Sequence, residues 1–119
     1  MRADQRDFAI RDIGCICCLQ RGIHSECEKH HLLSTGRHGN GKRRGERYTV
    51  GLCSYHHQGA KAVGTVAAGQ MRDRYGPSYG DEARAFREAF GDDAMLLEIQ
   101  DRAIAAWADS TIGGGAWKP

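Results

Sequence analysis

The first seven residues, Met1-Arg2-Ala3-Asp4-Gln5-Arg6-Asp7, lack the apolar core of a secretory signal. No hydrophobic run approaches the length of a membrane span. No internal repeat is present, which argues against a repeat architecture. The cysteine count is five, so complete pairing into disulfides is excluded. These absences lead us to expect a cytosolic chain without membrane association. Thiols stay reduced in that compartment, and clustered cysteines there more often bind metal.

What is present fits one small domain. The chain has 119 residues, of which 40% are hydrophobic and 27% charged. A domain of this size buries proportionally less surface than a larger one, so a staple helps it fold. The net charge is only +2, but it is unevenly placed. Residues 1–80 hold 13 basic and 7 acidic side chains, and residues 81–119 hold 4 and 8. The basic half suits a polyanion such as nucleic acid. A solvated surface of uneven charge explains the same numbers equally well.

All five cysteines and all six histidines lie between Cys15 and His57. Cys15-x-x-Cys18 has zinc-knuckle spacing: a two-residue gap lets one tight turn aim both sulfurs at one metal. Cys17 competes with Cys18 for the second position. The spacing favours Cys18 and leaves Cys17 as a small buried residue. Cys53-x-x-His56 supplies the other half of a four-ligand set, and His57 follows one step later. On a helix starting near Ser54, His57 points about 100° away from His56 and is available to a different metal. His30-His31, followed by Leu32-Leu33, reads as a strand whose adjacent side chains face opposite ways. His24, Cys27 and Cys17 are spaced like an alternative second site, but they supply too few clean ligands. Between the two halves, residues 35–47 carry Gly36, Gly39, Gly41 and Gly45 with Arg37, Lys42, Arg43, Arg44 and Arg47. Glycine permits close backbone approach and arginine forks bind phosphate, so this segment reads as a mobile basic loop for nucleic acid. A plain solvated loop is the competing reading.

The remaining pattern predicts an α+β domain over 1–110, with its core at 12–80 and a helical part at 81–109. A short amphipathic helix covers 1–13 and stops at Gly14. Tyr48–Leu52 is strand-like. A helix runs over 65–75 and ends at Gly76-Pro77. Residues 81–90 form another, with Ala83, Phe86, Ala89 and Phe90 on one side. Asp92 or Asp93 caps a longer helix to about 108. Its Met95, Leu96, Ile99, Ala103, Ile104 and Trp107 make a stripe for core packing, with no catalytic content. Residues 111–119 are expected to form a flexible tail.

The order Cys-x-x-Cys, His-His, then Leu52-Cys53-Ser54-Tyr55-His56-His57 resembles the zinc-containing HNH, or ββα-metal, nucleases. Within that group the chain is most similar to the phage recombination-enhancement, RecA-dependent nuclease family. Gly14-Cys15-Ile16-Cys17-Cys18, His30-His31, the basic glycine-rich loop, Gly51–His57 and Tyr75-Gly76 carry the resemblance, over roughly residues 12–80. It implies a zinc-stabilised ββα core with flanking helices, and a structural zinc on Cys15, Cys18, Cys53 and His56. It further implies a catalytic Mg²⁺ or Mn²⁺ on His30 and His57, with His31 as general base. DNA is then the substrate, a RecA-type recombinase filament a candidate partner, and a bacterial host cytoplasm the setting. The middle Asn of HNH is not evident; Arg47, Tyr48 and Thr49 stand near its place, so His31 has no named orienting residue. The chain also begins almost at the motif, where the better-known phage relative has a long basic arm, so DNA affinity and recombinase dependence are expected to differ.

The leading expectation is therefore a metal-dependent DNA endonuclease in recombination or repair. A non-catalytic zinc module that binds nucleic acid explains the four zinc ligands but leaves His30, His31 and His57 unused. A protein-interaction domain docking through the C-terminal helices is the third reading.

Overall fold

A computed structural model describes residues 1–32, 45 and 47–114. Within them the fold is α+β: helices flank a two-stranded antiparallel ribbon. Strand β1 (Glu28–His31) pairs with β2 (Thr49–Leu52) so that His30 faces Val50 and His31 faces Thr49. Helix α3 (Ser54–Gln58) follows β2 directly. Alternation along the ribbon sorts the side chains. Glu28, His30, Val50 and Leu52 share one face, and Lys29, His31, Thr49 and Gly51 share the other.

The first face meets the main core. Val50 and Leu52 pack with α2 (Ile16–Leu19), with Phe86 and Phe90 of α6 (Ala83–Phe90), and with Leu96 of α7 (Asp93–Gly114). The second face meets α1 (Ala3–Ile13), where Lys29 pairs with Asp7 at 3.0 Å. A Cβ on Gly51 would lie 2.9 Å from Ile10, from the Cys27 sulfur and from the Gly14 carbonyl. Only glycine lets α1 come that close.

The outer edge of β2 is closed by side chains. Arg6 donates to the Thr49 carbonyl at 2.7 Å, and the Gly51 N–H donates to Oε1 of the fully buried Gln100 at 2.7 Å. A bare strand edge would leave both backbone groups unpaired. Arg6 also pairs with Asp101, and the Trp107 indole N–H donates to Asp12, which ties α7 to α1.

The expected helices over 1–13, 65–75 and 81–90 appear as α1, α5 (Thr65–Tyr75) and α6. Asp92 caps α7 through the Met95 N–H at 2.9 Å. That helix runs to Gly114, further than its apolar stripe suggested, because its last turns follow no periodic apolar signal. The expected flexible tail thus begins on helical residues, and 115–119 lie outside the described ones. The stripe is narrower than expected. Leu96, Ile104 and Trp107 are buried, Gln100 sits among them, and Met95 is exposed. The short α2 and α4 (Ala60–Val63) have no periodicity long enough to be read from sequence. Among the described residues, no helix is long and apolar enough to cross a membrane.

Candidate metal centre

Two short helices open on a cysteine in the same way. Cys15 precedes α2 and its sulfur accepts the Cys18 N–H; Cys53 precedes α3 and its sulfur accepts the His56 N–H. Each x-x gap therefore folds as a first helical turn that brings the second ligand back beside the first. The ribbon sets the two turns against each other, since α3 leaves the end of β2 and α2 packs on that strand. The ligand atoms of Cys15, Cys18, Cys53 and His56 all lie within 4.8 Å of one another. His56 Nδ1 is 3.6 Å from the Cys15 sulfur, 3.6 Å from Cys18 and 3.3 Å from Cys53. The Cys18 and Cys53 sulfurs are 3.9 Å apart. A tetrahedral zinc with bonds of about 2.0–2.3 Å has ligand–ligand edges of about 3.5–3.8 Å, so the set fits that ion.

The centre is shielded. Cys15, Cys18 and His56 are buried and Cys53 is half-buried. Phe90 packs edge-on to the His56 ring at 5.3 Å. His56 Nε2–H donates to the Tyr75 carbonyl at 2.9 Å, so Nδ1 carries the lone pair that faces the thiols. The neighbouring Gly76 carbonyl accepts the Tyr55 hydroxyl at 2.7 Å. Gly76 reaches φ +85° to end α5, a conformation that suits glycine. As thiols the cysteines are crowded. The hydrogen bond to Cys17, with burial, pushes Cys15 up to about 12. The hydrogen bond to Cys15, with burial, pushes Cys53 up to about 12, and burial raises Cys18. A divalent cation reverses that balance by stabilising the thiolates.

A second group lies on the other side of α3. His57 Nδ1–H donates to Glu28 Oε1 at 2.7 Å, and Gln58 Nε2 donates to the same oxygen at 2.7 Å. The Gln58 and His57 hydrogen bonds hold the Glu28 carboxyl below its ordinary value. The His57 ring stands 5.0 Å from His30 in a T-shaped arrangement. His30 in turn is 4.8 Å from the Tyr79 ring, and the Arg87 guanidinium sits over Tyr79 at 5.4 Å.

Residues 1–105 match the model of the family described as recombination enhancement, RecA-dependent nuclease. The chain belongs to that family. Neither the curated proteins nor the solved structures contain a match. As a member of the recombination-enhancement family it is affiliated with nucleases linked to recombination and to RecA.

In this family member the four residues expected at the zinc converge, and Cys17 is buried in the core as expected. Cys17, His24 and Cys27 do not gather into a second metal group among the described residues. His24 donates to the Asp12 carbonyl and Cys27 to the Ile10 carbonyl. Of the other histidines, the fold brings His30 and His57 together. Strand alternation places His31, the last residue of β1, on the α1 side of the ribbon. Arg37, Lys42, Arg43 and Arg44 lie outside the described residues. Arg47 is exposed and lines a groove of about 550 Å³ with Arg2, Arg6, Tyr48 and Asp101.

Sequence reasoning passed over Glu28, Gln58, Tyr79 and Arg87. Glu28 had a usable signal: two residues before His30 in a strand, it must share that histidine's face. Gln58, next to His57, had a weaker one. Tyr79 and Arg87 had none: Tyr79 reaches His30 from the loop before α6, where its N–H donates to the His56 carbonyl, and Arg87 of α6 reaches only Tyr79.

Proposed function

We propose that this chain is a metal-dependent DNA endonuclease with an HNH, or ββα-metal, core, acting in phage-associated recombination or repair. The observation that carries the reading is the 5.0 Å approach of His57 on α3 to His30 on β1, beside a separate set of four zinc ligands. A silent zinc module needs only the four ligands. It gives no reason for a second pair of histidines to meet on the same ribbon-and-helix unit.

In this reading Cys15, Cys18, Cys53 and His56 hold a structural zinc, which fixes β2 and α3. His30 and His57 offer two nitrogens to a catalytic Mg²⁺ or Mn²⁺. Two protein ligands leave coordination positions for water and phosphate oxygens. Such an ion, when bound, supplies charge neutralisation at the scissile phosphate. His31 takes the proton of the attacking water. Since it stands at the end of β1 and on the opposite face from His30, the DNA strand must cross that end of the ribbon to meet both. The basic residues Arg37, Lys42, Arg43, Arg44 and Arg47 bind the DNA backbone through its phosphates. The RecA link of the family supports a recombinase filament as partner.

The test is nicking of plasmid DNA with added Mg²⁺ or Mn²⁺, with and without RecA filaments, for wild type, His30→Ala, His31→Ala and His57→Ala. Nicking by the wild type and its loss in the variants is the expected result. A wild type inert in every metal, with filaments present, overturns the enzyme reading. Salt-sensitive DNA binding by that inert protein would favour the non-catalytic module.

A further inference from the structure

The two adjacent histidines of α3 hold their ring protons in opposite places. His56 donates a hydrogen bond from its Nε2–H to the Tyr75 carbonyl, while His57 donates one from its Nδ1–H to Glu28. For His56 the consequence is visible, because its other nitrogen faces three sulfurs. The same logic applied to His57 leaves Nε2 as its one lone-pair donor. A neutral imidazole has a single such nitrogen, and the partner of the other nitrogen decides which one it is.

Glu28 is well placed to make that choice. It lies on the same ribbon face as His30, and Gln58, next in sequence to His57, holds the same carboxylate oxygen. The pair is too exposed to matter much for stability: side-chain exposure is 26% for His57 and 41% for Glu28. Pairs in such surroundings contribute little to folding. Their value is directional.

We propose that Glu28 is the positioning residue for His57, accepting the hydrogen bond of its Nδ1–H and so presenting Nε2 to a divalent cation beside His30. The inference rests on the endonuclease reading given above. Glu28 acts through His57 and is not itself a ligand in this arrangement. Gln58 steadies the carboxylate from the same turn of helix.

The full zinc-loaded chain tests this with Glu28→Ala, Glu28→Gln and His57→Ala. Imidazole ¹⁵N shifts in mildly alkaline buffer report the tautomer, with His57→Ala identifying the signal. Mn²⁺ affinity is read separately by counting free ion with electron paramagnetic resonance. The expected result is a single Nδ1–H tautomer for His57 in the wild type and a mixture in Glu28→Ala. Mn²⁺ affinity should then fall about 10- to 100-fold, as removal of an outer-shell partner typically does. Glu28→Gln keeps an acceptor oxygen and should recover the tautomer and most of the affinity. An unchanged tautomer in Glu28→Ala overturns the proposal. Equal loss of affinity in the Gln and Ala variants also overturns it, because the carboxylate would then be a ligand. A changed tautomer with Mn²⁺ affinity unchanged removes His57 from the cation, and with it the underlying endonuclease reading.

Discussion

Two histidine-bearing groups flank one five-residue helix, and they are built on different principles. The Cys15, Cys18, Cys53 and His56 group is closed: its four donors are all from the chain, three of them are buried, and aromatic rings wall it. The His30, His57 and Glu28 group is open: its rings meet at 5.0 Å, and its orienting pair is part-exposed. Burial holds the first in place and one hydrogen-bond relay aims the second. A closed set suits an ion that never leaves, and an open one suits an ion that must share its shell with a substrate.

The sharpest break of this contrast is Cys53→Ala. Zinc content should fall from one per chain to none, and the cooperative thermal melt should disappear. Structural zinc in small domains contributes on the order of 10 kcal/mol of apparent folding free energy. A Cys53→Ala protein that melts cooperatively with unchanged metal content would show that the closed group is not a zinc centre. Next in size is His31→Ala, expected to lower nicking by about 10²- to 10⁴-fold, the usual worth of a general base, with zinc content and melt unchanged. Retained nicking would move the proton acceptor elsewhere, to the face where His30 and His57 meet. Zinc analysis of His57→Ala checks that the two groups are separate, since loss of zinc there would merge them.

A smaller effect tests the ribbon that both groups share. Gln100→Ala leaves the buried Gly51 N–H without its acceptor, at a cost of about 1–3 kcal/mol. Denaturant unfolding should show that loss while zinc stays bound; an unchanged midpoint would mean water replaces the amide. Smallest of all is Arg47→Ala. The salt dependence of DNA binding should become shallower by about one phosphate contact, with neither metal affected. An unchanged salt slope would place Arg47 off the DNA path.

The closed group was legible in the sequence because its information is local. Two x-x gaps, each one helical turn, state the ligand pairs outright, and the strand before Cys53 shows as a run of β-formers. Even the ambiguity between Cys17 and Cys18 was resolved by spacing. The open group was half legible. The histidines were visible, and strand alternation puts Glu28 on the His30 face, but no period in the sequence marks its reach across to His57 on α3. Gln100 is the plainest failure. A polar residue inside an apolar stripe looks like a gap in the pattern until the edge of β2 supplies its partner. Tyr75-Gly76 shows the reverse case: residues noticed through a resemblance act here through their backbone carbonyls, and only Gly76 is tied to its identity, by its positive φ.

The clasp on β2 has a consequence for the order in which the protein is made. Synthesis is directional, and Gly51 leaves the ribosome 49 residues ahead of the Gln100 that pairs with it. Arg6 and all four cysteine and histidine ligands also emerge ahead of Gln100. The newborn chain can therefore gather its Cys15, Cys18, Cys53 and His56 group while one side of β2 is still an unguarded template for neighbouring chains. Only when α7 emerges and docks does that template vanish. Truncation within α7 should thus yield a metal-loaded but aggregating product, with the defect arising from an unfinished edge and not from an unfinished metal site.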